Sequence, residues 1–106
     1  MTTVIVNSGA CGYMVTIRAE KNSGKIAISL ETDCEMVKKM QHDIAELEKT
    51  AAFIKFDANP VYRSASRHLK HAACSVPSGI LKALEVAAGL NVPKDVTISF
   101  VKKEAR

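Results

Sequence analysis

The chain has no tryptophan, and phenylalanine and tyrosine together make up 5% of its 106 residues. Proteins that bind single-stranded nucleic acid usually stack the bases on several aromatic side chains. A surface that binds sugar rings also needs aromatic side chains. So few aromatic residues therefore argue against both kinds of binding surface.

Long apolar runs are absent as well. No stretch approaches the roughly 20 apolar residues that a membrane-spanning helix needs, and the start of the chain, Met1 to Asn7, is too short and uncharged for a signal peptide. With 47% hydrophobic and 25% charged residues, the composition is that of a soluble globular protein. We expect a cytoplasmic protein that forms a single domain over residues 1–106, with the last few residues frayed.

Cysteine is present in an odd number, three. Three cysteines cannot all pair within one chain, and a cytoplasmic environment would keep them reduced. Each cysteine is then a small buried hydrophobe, a ligand of a metal ion or cluster, or a reactive thiol. The sequence leaves these three alternatives open.

The spacing of apolar residues predicts a β-β-β-α-β-α-α-β order of elements. The predicted strands cover residues 4–6, 13–18, 26–31, 53–56 and 96–101, and the predicted helices cover 32–50, 59–73 and 77–88. This order is typical of the α+β class, with a mainly antiparallel sheet and three helices packed on one face.

Local signals set the ends of the predicted helices. Thr32 and Glu35 have the spacing of a capping box, and Asn59 followed by Pro60 is typical of an N-cap and first helical residue. Gly89 is suited to the position just after the third helix.

The three cysteines lie at similar kinds of position in these predicted elements. Cys11 follows the first strand in a loop that contains Gly9 and Gly12, Cys34 lies in the first turn of a helix, and Cys74 lies in the link between two helices. None of them belongs to an apolar stripe. Loops and helix N-termini offer free backbone N–H groups, which favour a thiolate.

A metal site is our leading hypothesis for these cysteines. Its ligands would be Cys11, Cys34 and Cys74, with His71, three residues before Cys74, as the fourth ligand and His68 in reserve. Three thiolates and one imidazole suit zinc, and three thiolates alone suit an iron–sulfur cluster with one open iron. The alternative is sulfur transfer or thiol redox chemistry with Cys74 as the reactive thiol, which leaves open whether the protein is an enzyme.

A basic helix face gives a third hypothesis. Arg63, Arg67 and Lys70 share one face of the second predicted helix, and Lys102, Lys103 and Arg106 add positive charge to a chain of formal net charge +4. Such a face would serve a nucleic-acid or protein-interaction module. Because no aromatic residues are interleaved with the basic ones, a solvated helix face is favoured over nucleic-acid binding. A protein partner and a homodimer are both compatible with the sequence.

The segment from His71 through Cys74 and Gly89 to Val96, together with Ala10-Cys11-Gly12 and Asp33-Cys34, resembles a small family of uncharacterised proteins from anaerobic prokaryotes. The resemblance covers nearly the whole chain and implies a single intact domain. It also implies an anaerobic setting, in which an oxygen-sensitive thiol or cluster persists.

A second resemblance is local. Cys74-Ser75-Val76-Pro77 at a helix start is similar to the Cys-Pro-x-Pro motif of the small sulfur carriers of the TusA type, although Ser75 replaces the first proline. In that family the cysteine carries a persulfide at a helix N-terminus. The resemblance implies that Cys74 is a sulfur-accepting nucleophile.

Overall fold

The computed structural model describes residues 1–102 and contains one antiparallel sheet. Its strands are β1 (Thr2–Asn7), β2 (Met14–Asn22), β3 (Lys25–Thr32) and β4 (Glu46–Glu48), and they lie in the order β1-β2-β3-β4. Ser23 and Gly24 form the tight turn of the β2–β3 hairpin, both with positive φ, as two-residue hairpin turns require. The predicted strands at 4–6, 13–18 and 26–31 are confirmed.

Three helices cover one face of this sheet, so the predicted α+β class is confirmed. They are α1 (Glu35–Ile44), α2 (Pro60–His68) and α3 (Val76–Ala87). Helices α1 and α3 pack on the strands, and α2 packs against both helices. The buried sheet residues are Val15, Ile17, Ala19, Ile26, Ile28 and Leu47.

The predicted boundaries of the first helix are wrong at both ends. The helix starts after Cys34, which is its N-cap, and Thr32 still belongs to β3. The Thr32 hydroxyl accepts a hydrogen bond from the Cys34 N–H at 3.2 Å and donates one to the Met14 carbonyl. The helix ends at Ile44 because Leu47, whose spacing suggested another helical turn, is paired with Ile26 as part of β4.

The strand predicted at 53–56 is also wrong. Residues Lys49–Phe53 form a 3-10 helix, and both Phe53 and Phe56 are exposed. The fourth strand lies earlier in the chain, at Glu46–Glu48. A short apolar run is ambiguous in sequence, since only tertiary packing decides whether it forms a ladder.

Helix α2 starts as predicted and ends sooner. The Asn59 side chain accepts a hydrogen bond from the Val61 N–H and donates to the carbonyls of Ala51 and Ile54, so this buried amide is fully satisfied. The helix ends at His68, five residues before the predicted end at Ala73.

Helix α3 ends as the sequence predicted. Gly89 has a φ of 77°, and its N–H donates to the Val86 carbonyl while the Leu90 N–H donates to the Glu85 carbonyl. This pair of hydrogen bonds is the Schellman arrangement.

The last predicted strand, at 96–101, is not formed in this chain. Residues 91–101 have no regular secondary structure and are exposed throughout. The predicted fraying of the tail and the basic residues Lys103 and Arg106 lie outside the described residues.

Candidate functional site

Cys11 is an exposed residue of the β1–β2 connection. It ends a 3-10 turn over Gly9–Cys11, and Gly12, with a φ of 81°, closes that turn through a hydrogen bond to the Gly9 carbonyl. Before the turn, the Asn7 side chain accepts a hydrogen bond from the Gly9 N–H at 3.1 Å. This loop is therefore ordered by its own hydrogen bonds, and the Cys11 thiol faces solvent.

Cys34 is a core residue, although it lies on no apolar stripe in the sequence, and the structure agrees with the alternative of a small buried hydrophobe at this position. It is 7% exposed and packs within the main hydrophobic core. Its backbone serves α1, because the Cys34 carbonyl accepts a hydrogen bond from the Lys38 N–H at 3.0 Å. A buried thiol in such a place behaves as a small hydrophobe.

All three cysteines lie toward one end of the sheet. Cys11 follows the end of β1 and Cys34 follows the end of β3, while Cys74 precedes α3, whose Gly79 packs against Val6 near that same end. Within residues 1–102, however, no three His, Cys, Asp or Glu side chains are close enough to hold one metal ion. The structure does not assemble the predicted set of Cys11, Cys34, Cys74 and His71, and metal binding stays a prediction.

Cys74 and His71 are brought together by a turn instead of a helix. Helix α2 stops when Leu69 becomes extended, and the Cys74 N–H then donates to the His71 carbonyl at 3.2 Å. The first and last Cα atoms of such a four-residue turn lie within about 7 Å of each other. Two residues later α3 begins, with Pro77 in its first turn.

The half-buried Cys74 lines a cleft between α2, the 69–75 loop and the start of α3. We call it the Cys74 cleft. It has a volume of about 300 Å³ and is lined by Tyr62, Ala65, Ser66, Leu69, Lys70, His71, Ala72, Cys74 and Pro77. The hydroxyl of Tyr62, one of these lining residues, lies 3.3 Å from that of Ser78 in α3. The lining thus combines apolar side chains, one thiol and two basic side chains.

A second polar cluster joins α1 to α2. One carboxylate oxygen of Asp43, Oδ2, accepts hydrogen bonds from the Ser64 hydroxyl at 2.7 Å, from the Arg67 guanidinium at 3.1 Å and from His68 Nε2 at 3.1 Å. Because Ser64 donates to the carboxylate and not to the imidazole, this arrangement is not a nucleophilic triad. Its role is to hold the two helices together.

The charge and hydrogen bonds around Asp43 perturb its acidity. Hydrogen bonds from Ser64 and then Arg67 lower the pKa of the Asp43 carboxyl from 3.8 to about 2. The cluster also revises two predictions. His68, which was the reserve metal ligand, instead binds Asp43. Arg67, which was assigned to a basic helix face, has its charge partly neutralised by the same carboxylate.

Neither the Asp43 cluster nor the Cys74 cleft is predicted by the sequence pattern. Ser64, Arg67 and His68 have the spacing of one helix face, which marks them as neighbours, but the residue they bind lies more than twenty positions away. The cleft depends on where α2 ends, which was predicted wrongly.

A protein-family model of unknown function, DUF6951, matches residues 2–100. The chain belongs to this family. The match spans the whole described fold, consistent with the resemblance to an uncharacterised single-domain family. No curated protein and no solved structure matches the chain. No helix within residues 1–102 is long and apolar enough to cross a membrane.

Proposed function

We propose that this DUF6951 protein is a small sulfur-transfer protein that carries sulfur on Cys74. The observation that carries the proposal is the Cys74 cleft, which combines a half-buried thiol with Lys70 and His71. Cys34 is buried in the core and Cys11 lies in an open loop. Among the three cysteines, Cys74 combines access to solvent with neighbouring basic residues that can assist proton transfer.

The two basic side chains suit the needs of a sulfur nucleophile. The attacking species is a thiolate, which nearby cations stabilise. Lys70 supplies positive charge, and His71 can accept the thiol proton. Ala65 and Leu69 add apolar side chains to the lining of the cleft, and charge interactions are stronger beside apolar groups than in bulk water.

The reaction requires no external oxidant. The Cys74 thiolate attacks the outer sulfur of a donor persulfide, a new S–S bond forms at Cys74, and the S–S bond of the donor breaks. The donor leaves as a thiolate and takes up the proton released by Cys74. The same exchange in reverse passes the sulfur to an acceptor thiol. This second exchange leaves Cys74 as a thiolate, so no reductant is needed to restore it.

The test is to expose the purified protein to glutathione persulfide without oxygen and to locate added sulfur by peptide mass spectrometry. We expect the mass of one additional sulfur atom on the peptide that contains Cys74. Lys70→Ala and His71→Ala should each slow this addition by about tenfold or more, since general base and charge contributions are of at least that size. Cys11→Ser is the matched control, because it removes a more exposed thiol outside the cleft.

Two outcomes would contradict the proposal. One is sulfur added mainly to Cys11, or to Cys74→Ser protein as readily as to the wild type. The other is a stoichiometric zinc or iron content that is lost in Cys34→Ser protein, which would favour the metal hypothesis instead.

A further inference from the structure

The two edges of the sheet are protected to different degrees. The edge formed by β4 is three residues long and carries Glu46 and Glu48, and both shortness and charge discourage pairing with another strand. The edge formed by β1 is six residues long, Thr2–Asn7, and carries no charged side chain and no proline. Such an edge invites a further strand.

The side of β3 that β4 leaves uncovered is closed by α1. The Gln41 side chain donates to the Ile28 carbonyl and accepts from the Leu30 N–H, and the Ile28 N–H donates to the Ala45 carbonyl. Within the described part of the chain, no comparable side-chain hydrogen bonds cover the outer edge of β1. Among the backbone hydrogen bonds of residues 1–102, none joins β1 to the segment that follows α3.

That segment carries a strand pattern without a strand partner. Val96, Ile98 and Phe100 alternate with Thr97, Ser99 and Val101, and the first three are 63%, 83% and 98% exposed. Exposing three large apolar side chains in a row is unfavourable. A neighbouring strand would pair with the N–H and C=O groups of this segment and would bury its apolar side chains.

Residues 91–101 pass close to the start of their own β1 strand but form no backbone hydrogen bond with it. Residues 91–95 border a cleft of about 200 Å³ whose other walls are Thr2, Thr3 and Val4 of β1 and the Lys82–Val86 side of α3. After passing this end of β1, residues 96–101 remain fully exposed. The molecule measures 52 Å along its long axis against 29 Å and 25 Å across.

We propose that residues 96–101 pair as a β-strand with the outer edge of β1 in a second copy of this chain. Each copy has one unpaired segment, residues 96–101, and one unprotected edge, that of β1. In a twofold dimer, the segment of each copy pairs with the β1 edge of the other. Each sheet then gains a fifth strand, supplied by the partner.

The side chains on the two faces agree with this pairing. The inner face of β1 presents Val4 and Val6, which are partly buried hydrophobics beside the core, and Val96, Ile98 and Phe100 would cover them. On the outer face, β1 presents Thr3, Ile5 and Asn7, of which Ile5 is 64% exposed. The neighbouring strands are polar on this face, with Thr16, Arg18, Ser29 and Glu31, and Thr97, Ser99 and Val101 would extend it.

Complete burial of Val96, Ile98 and Phe100 in both copies would give the area of a specific dimer. Burying an aliphatic side chain removes roughly 100 Å² and an aromatic one roughly 150–250 Å² from solvent. The buried area includes the side chains of the added strand and the β1 surface that they cover, and the dimer contains two such contacts. The total then falls in the range of about 1,200–2,000 Å² that is usual for specific interfaces.

The test compares the mass of the full chain in solution, by light scattering, with that of an Ile98→Lys/Phe100→Lys variant. We expect the wild type to have twice the 11.5 kDa chain mass and the variant to be a monomer, with the dissociation constant raised by about tenfold or more for each lysine. Phe53→Lys is the matched control, because Phe53 is also largely exposed but lies far along the chain, in the 3-10 helix. Circular dichroism checks that each variant is folded.

Amide hydrogen exchange distinguishes the alternatives. In the wild type we expect protection of β1 and of residues 96–101, and its loss from both in the double variant. A wild type that is monomeric overturns the proposal: with 96–101 protected it would indicate pairing within one chain, and with 96–101 unprotected it would indicate no pairing. A dimer that survives both lysines would also overturn it.

Discussion

Gly79 sets how closely α3 approaches the sheet. A methyl group at this position would lie 2.5 Å from Val6 Cγ2 and 3.1 Å from Ile17 Cδ1, and a β-branched valine has little freedom to move away. Alanine is favoured over glycine in a helix by about 1 kcal/mol, but overpacking of a core costs about 1–3 kcal/mol. The cost of overpacking therefore outweighs the gain in helix propensity, and alanine at this position should destabilise the fold.

We expect Gly79→Ala to lower the free energy of unfolding by about 1–2 kcal/mol, measured by urea denaturation. Lys82→Ala, an exposed change in the same helix, should alter it by less than about 0.5 kcal/mol. A more stable Gly79→Ala protein would show that α3 shifts away from Val6 and that the close contact is not fixed.

Elements α1 and α2 are joined through Asp43, which makes their association depend on pH. The pKa of this carboxyl falls from 3.8 to about 2 in the folded protein. A lowered pKa means that the carboxylate stabilises the fold above pH ~4 and that this stabilisation is lost as the pH falls toward 2. Acid should therefore loosen the contact between the two helices.

The change that tests this contact is Asp43→Asn. We expect the variant to be less stable than the wild type at neutral pH, and the difference between them to shrink as the pH falls from about 4 to about 2. Denaturant unfolding at a series of pH values measures it. Asp57→Asn, an exposed aspartate outside this cluster, is the control. A difference that is constant over this pH range would contradict the assignment.

The elements also show what the sequence could and could not predict. Strands β1 to β3, the Asn59–Pro60 start of α2 and the Gly89 end of α3 carry local signals and were predicted. The β4 strand was missed because Leu47 continues the helical spacing of Met40 and Ile44, and pairing with β3 decides otherwise. Residues 96–101 have a strand pattern that this single chain leaves without a partner.

The candidate site was predictable only in part. His71 and Cys74 were expected to act together, and the structure places them at the two ends of one turn. The convergence of Cys11 and Cys34 on Cys74 was an assumption about packing across the chain. Cys34 is buried because α1 begins directly after it, and the Cys74 cleft is open because α2 ends at His68. Both of these helix ends were predicted wrongly from the sequence.

At the scale of the whole molecule, the cleft and the β1 edge are separate features. The Cys74 cleft lies between α2 and α3, while residues 96–101 and β1 share no lining residue with it. We therefore expect the Ile98→Lys/Phe100→Lys variant to keep the wild-type reactivity of Cys74, measured by its rate of persulfide uptake. A large change in that rate would show that the two features are coupled.

The most direct test of the central claim is the order in which the three cysteines react with limiting iodoacetamide in the native protein, followed by peptide mass spectrometry. Exposure alone predicts Cys11 first, then Cys74, then Cys34. The proposed role of the cleft predicts Cys74 first, and predicts that Lys70→Ala/His71→Ala protein returns Cys74 to second place. If Cys11 reacts first in the wild type, Cys74 is not an activated thiol and the proposed function is wrong.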